Sequence, residues 1–153
     1  VSRLRGFAWL EKYKSLNRPL PQRKTKGSAG YDLAALEAVR IEAESSLLIE
    51  TGLKAYMQAD EVLLLFIRSS IAIKKNLRLV NGVGVIDSDY YNNPQNEGQI
   101  LIALENLNPY PIEIQANELL AQGIFTKFLL TQEDRSEGLR IGGIGSTDSQ
   151  KEK

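Results

Sequence analysis

"NGVGVIDSDYYNNP", residues 81–94, reads as a Val- and Ile-rich buried strand that ends in two aspartates, Asp87 and Asp89, and two tyrosines. Negative charge at the end of an apolar strand marks a segment that leaves the core to do something else. Its flanks repeat the same strand pattern. "YDLAAL" (31–36), "VRIEA" (39–43), "SLLIETGLKAYM" (46–57), "EVLLLFI" (61–67), "LRLVNGVGVI" (77–86), "QILIALEN" (99–106) and "IEIQANELLAQGIFTKFLL" (112–130) are apolar or alternating. Most are separated by Asn, Gly, Asp or Pro, the residues that break strands. Regular short strands of this kind predict an all-β sandwich, jelly roll or barrel. A chain of 153 residues is long enough for one domain with a real core. "RSSIAIKKN" (68–76) interrupts the pattern and predicts one short helical turn capped by serine, with free N–H groups at its start and Arg68 beside them.

Composition narrows the chemistry. The chain contains no cysteine and no histidine. Disulfides, thiol nucleophiles, a Ser-His-Asp triad and a His-ligated zinc are therefore excluded. Hydrolysis would have to run on carboxylates, hydroxyls, Lys or Arg, with a hard cation held by oxygen. No apolar run is long enough for a membrane span and no secretory leader is readable, so a cytoplasmic location is expected. Residues 1–26 carry eight basic side chains against Glu11 alone, +7, which leaves −7 for the remainder. That segment reads as a solvated lead-in or as a surface for an acidic partner. Residues 138–153 concentrate glycine at 138, 142, 143 and 145 and read as a flexible arm appended to a 1–137 barrel domain. The backbone N–H groups and hydroxyls of such an arm could close over an anion.

Three separated segments share a chemical theme. "SAGYDL" places Asp32 in a Gly-flanked turn, "RSS" supplies Arg68, Ser69 and Ser70, and "VIDSDY" supplies Asp87 and Asp89. Together they are suited to metal-assisted attack of water on a phosphoanhydride. In this order, "AGYDL" (29–33), "RSSIA" (68–72), "NGVGVIDSDY" (81–90), "ELLAQGIF" (118–125) and "GGIGST" (142–147) resemble the five motifs of the trimeric dUTP diphosphatase (dUTPase) family, in a variant of the Firmicute or phage kind.

The resemblance implies a jelly-roll-like β-barrel with one short helix, a homotrimer with sites shared between subunits, and conversion of dUTP and water to dUMP and pyrophosphate with Mg²⁺. Asp87 matches the general base that takes a proton from the attacking water. Asp32 matches the carboxylate that holds the metal through water. Arg68, Ser69, Ser70 and Gln122 match phosphate ligands, and Arg140, Gly145 and Ser146 extend that set from the arm. Asn81 and Gly84 match a hairpin whose backbone reads the uracil edge and rejects thymine and cytosine. Tyr90 matches the ring that packs on deoxyribose and leaves no room for a 2′-hydroxyl. Ile144 stands where an aromatic normally caps the base. The other departures are Ile67 for a proline, Ser70 for a glycine, Leu119 for an arginine, and the long "YNNPQNEG" (91–98) loop. No membrane and no direct nucleic-acid contact is expected. Two alternatives are a dCTP deaminase relative, which relies on a Glu base with His nearby, and a nucleotide-dependent regulator with a protein partner, motivated by the basic segment and the 91–98 loop.

Overall fold

The alternation read in residues 99–106 becomes a strand with one buried face. In the computed structural model, which describes residues 3–143 and 145, β9 (Leu101–Asn106) buries Ile102, Leu104 and Asn106 and leaves their neighbours half-buried. It is one of eleven strands among the described residues. In chain order, the first five are β1 (Gly6–Trp9), β2 (Tyr31–Ala34), β3 (Val39–Ile41), β4 (Ser46–Glu50) and β5 (Leu53–Tyr56). Then come β6 (Glu61–Ile67), β7 (Leu77–Leu79), β8 (Gly84–Asp87), β9, β10 (Ile112–Ile114) and β11 (Leu119–Lys127), with one helix, α1 (Ser69–Lys74), between β6 and β7.

All the pairings are antiparallel. The largest sheet runs β2-β11-β6-β8 and faces a second sheet, β4-β9-β7, across a shared core; β1-β5 and β3-β10 form two-stranded ribbons. The core is aliphatic, with Leu33, Ile49, Leu63, Ile100, Ile102, Leu104, Ile114 and Leu120 at most 1% exposed. Each such side chain contributes about 1.5–3 kcal/mol of burial, an upper figure because a real unfolded chain is already partly collapsed. Asn106, also fully buried, is tolerated because its amide donates to the carbonyls of Ile41, Glu42 and Tyr110 and its oxygen accepts from Asn108. This is the all-β, jelly-roll-like fold with one short helix that the strand pattern and the motif order predict.

Three local readings change. The basic N-terminal segment is more than a solvated lead-in: β1 pairs with β5, burying Phe7 and, just beyond it, Leu10. The helix starts one residue early, with Arg68 at the N-cap and no side-chain cap bond, so Ser69 and Ser70 sit inside the first turn. The expected hairpin around Asn81 is a corner between sheets. β7 pairs with β9 and β8 pairs with β6, and the chain crosses between them through residues 80–83. Gly82 has φ of 72°, which glycine adopts without strain, and short bonds from Gly82 N to Leu79 O and Val83 N to Asn81 O close the turn. None of the helices among the described residues is long and apolar enough to cross a membrane.

Candidate active site

The residues singled out in the sequence gather in two places, at opposite ends of β6. At one end, β8 carries Asp87 opposite Val62 on β6, and the chain then turns through a 3-10 segment, Ser88–Tyr90. Asn81, Gly84, Asp87, Tyr90, Arg140, Gly143 and Gly145 line a cavity of about 270 Å³ there, with Leu65, Leu79, Ile102 and other apolar side chains as its floor. Asp87 is half exposed, so its carboxylate meets water. Gly84 is required by packing: a Cβ there would lie 2.9 Å from the Cβ of Leu65 on the neighbouring strand.

Tyr90 is buried, and its hydroxyl donates to Gln99 O at 2.5 Å and accepts from Asn96 Nδ2 at 2.8 Å. Burial pushes the Tyr90 phenol up from its ordinary value, and the Asn96 bond and the Arg140 charge pull weakly the other way, so the hydroxyl stays neutral. Arg140 lies across the mouth of this cavity. Its Nη2 is 2.5 Å from Asp87 Oδ2, its Nε is 2.8 Å from Asp89 Oδ1, and its guanidinium sits 5.9 Å from the Tyr90 ring centre. Asp89 therefore has a concrete partner, which sequence reading did not supply. Arg140 lies with the carboxylates and Tyr90, away from the expected phosphate ligands.

Those ligands form the second cluster. Asp32 on β2 is opposite Gln122 on β11, and Gln122 is opposite Phe66 on β6. Arg68, just past β6, has its Nε 3.4 Å from Asp32 Oδ1 and its backbone N–H bonded to Leu120 O. Gly30 leaves room for the Gln122 side chain, since a Cβ would come within 2.5 Å of Gln122 Oε1. Ser69 is exposed and Ser70 half-buried on the first turn of α1. A larger cavity of about 490 Å³ adjoins Asp32 and is lined in part by Arg18, Arg23, Lys24 and Trp9. These basic residues were not among the expected site residues; the signal was the charge excess of the N-terminal segment. Ile144 and Ser146 lie outside the described residues.

Between the residue opposite Asp87 and Arg68, β6 advances six positions, roughly 20 Å along the strand. Asp87 and the Arg68 cluster of one chain are thus set well apart along β6, with the cavity wall at Gly84 and Leu65 between them.

A barrel of this topology, with carboxylates and an Arg/Ser cluster at its rims, belongs to a class of nucleotide-handling all-β proteins, and comparison with known proteins makes that specific. A dUTPase family model matches residues 17–148. The deoxyuridine 5'-triphosphate nucleotidohydrolase of Lactococcus lactis is 46% identical over 147 residues, covering 95% of this chain and 98% of the relative. That of Corynebacterium diphtheriae is 39% identical, covering 84% and 85%. Among solved structures, the dUTPase from Streptococcus mutans superposes with a TM-score of 0.79 at 48% identity, covering 83% of this chain and 98% of that one. A point mutant of the dUTPase from phage phi11 of S. aureus, which coordinates a structural Mg(II) ion, shares the fold at a TM-score of 0.72 and 22% identity, covering 89% of this chain and 98% of that one. The chain belongs to the dUTPase family.

Proposed function

We propose that this protein hydrolyses dUTP to dUMP and pyrophosphate in a site assembled from two copies of the chain. The observation that carries this reading is the cavity that brings Asn81, Asp87 and Tyr90 together, with Asp87 open to water. The uracil would enter over the Asn81 corner, whose exposed backbone can pair with the base edge. Tyr90 would form the wall against the sugar, and Asp87 would accept a proton from the water that attacks the α-phosphorus. A carboxylate is a weak base at neutral pH, so positioning and charge stabilisation would supply most of the acceleration.

The second copy would present Arg68, Ser69, Ser70 and Gln122 to the phosphates, which explains why these residues stand far from Asp87 within one chain. A ring of such shared interfaces is the trimer the family resemblance implies. Arg140 would exchange its two carboxylates for phosphate oxygens when substrate is bound.

The donor set fits Mg²⁺ held chiefly by substrate. Among the described residues no group of three carboxylates is placed to hold a metal, and Asp32 stands with Arg68 beside it. A cation that keeps its waters and is gripped by phosphates needs only one such carboxylate. When bound it would neutralise charge on the phosphates, with Asp32 as its anchor through water. Incubation with dUTP and Mg²⁺ should release pyrophosphate, and Asp87→Asn should slow that release by about 10²-fold or more. No product from the unaltered protein would refute the reading.

A further inference from the structure

The 91–98 loop is longer than a tight turn and is closed by its own hydrogen bonds. Asn92 N bonds to Glu97 O, and Asn93 Oδ1 accepts from the backbone of Gln95 and Asn96 while its amide donates to Tyr90 O. Gly98 has φ of 88°, and a Cβ there would meet Tyr90 O at 2.6 Å, so the loop closes against the backbone of Tyr90 only with glycine. Beneath it, buried Lys54 donates to Asn92 Oδ1 at 2.5 Å and to Glu97 Oε2 at 2.6 Å and lies over the Tyr91 ring. Such a loop has one geometry to offer its neighbours.

It offers that geometry to two of them. Asn96 Nδ2 donates to the Tyr90 hydroxyl at 2.8 Å, and Gln95 Oε1 accepts from Gly143 N at 2.8 Å in the arm. The Tyr90 hydroxyl spends its single proton on Gln99 O. It therefore needs a donor from the other side, and Asn96 supplies it. The ring is thereby held at both edges of its hydroxyl, which fixes how far it projects into the cavity it shares with Asp87 and Asn81.

We infer that Asn96 is a positioning residue that sets the sugar specificity of the site by locking Tyr90. Gln95, one residue earlier, separately holds the arm. The inference rests on the proposed hydrolysis of dUTP and deepens it: choice of the 2′-deoxy sugar depends on a donor in the 91–98 loop, besides the ring itself. The same Asn96 side chain accepts through Oδ1 from Asn93 Nδ2 at 2.7 Å and from Gly98 N at 3.0 Å. Asn96→Asp keeps both of these acceptor bonds but puts a carboxylate oxygen where the amide donor stood. That oxygen competes with Gln99 O for the single phenol proton, so the ring keeps one anchor of its two while the loop keeps its own bonds.

The test compares kcat/KM on dUTP and on UTP for the unaltered protein, Asn96→Asp, Tyr90→Phe, the double variant, and Gln95→Ala. Asn96→Asp is expected to lower the dUTP-over-UTP ratio by roughly 3- to 10-fold, the scale of one hydrogen bond, chiefly by lowering KM for UTP while kcat on dUTP holds. Tyr90→Phe should lower the ratio by a similar factor, and adding Asn96→Asp to it should lower the ratio no further, because the two act through one bond. Gln95→Ala should raise KM for dUTP with the ratio unchanged. An unchanged ratio in Asn96→Asp with the unaltered protein active overturns the inference alone, as does an undiminished effect of Asn96→Asp in the Tyr90→Phe background. Should Asn96→Asp fail to fold, an unchanged ratio in Tyr90→Phe overturns it as well. Lack of dUTP turnover by the unaltered protein defeats the hydrolysis reading, and the inference with it.

Discussion

The two ends of β6 carry the two halves of the proposed site and are built on different principles. At the Asp87 end, a corner between sheets, a 3-10 turn and the arm line one cavity. The 91–98 loop stands behind Tyr90 and bonds it through Asn96, while Arg140 pairs with Asp87 and Asp89 and faces the Tyr90 ring. At the Arg68 end, the ligands are set in register on neighbouring strands: Asp32 opposite Gln122, Gln122 opposite Phe66, with Arg68 one step beyond the strand. Loops can be reshaped to fit one base and one sugar, whereas strand register gives charge at fixed spacing, which is what a chain of phosphates needs. In the proposed function, the first end discriminates and the second grips.

The sharpest way to break that division is at Asp87. Asp87→Asn should lower kcat on dUTP by about 10²- to 10⁴-fold with little change in melting temperature, since the side chain is half exposed. Pyrophosphate release and a thermal melt together check this, and retained turnover would remove the Asp87 end from the chemistry. Arg68→Ala should act next most strongly, reducing kcat/KM by roughly 10- to 100-fold through lost charge-assisted bonds to phosphate.

Mixing the two impaired variants, refolded together, then tests whether the halves come from different copies. Random association should restore unaltered activity to about one quarter of the sites if each site joins two chains, and should leave only the residual activity of the variants if each lies within one.

A smaller effect is expected at the arm. Arg140→Ala removes both ion pairs that hold it, so limited proteolysis after residue 135 should become several-fold faster while the barrel's melting point stays within about 2 °C.

The smallest effect concerns pH. Lys54 bonds the charged Glu97 carboxylate and holds it below its ordinary value of 4.5. A depressed folded value means that this contribution is complete above about pH 4.5 and fades as pH falls through the lower folded value. The melting-point gap between the unaltered protein and Glu97→Gln should therefore be constant from pH 7 to 5 and narrow below 4.5. A gap that widens on acidification would contradict the pairing.

How much was legible follows the same division. Strand positions, the all-β class and the motif order could be read because alternation and turn residues are local signals; β9 and β6 came out as the apolar pattern predicts. Gly84 was expected to serve ligand approach, and its packing against Leu65 needs the β6–β8 register to be seen. The hairpin at Asn81 looked right locally. Only the partners of β7 and β8, which lie in different sheets, turn it into a corner.

Composition and order of residues by themselves determined the chemistry available, with no His or Cys and carboxylates, Arg and Ser in five ordered segments, together with the strand-rich class. Tertiary structure decided which of those residues meet. It put Arg140, from the far end of the chain, onto Asp87 and Asp89, and Asn96 onto Tyr90. It also put Arg68 roughly 20 Å along β6 from them. The physical reason is that a strand reveals its own faces through a two-residue period, while contacts between distant segments depend on sheet pairing and loop closure, which no local period encodes.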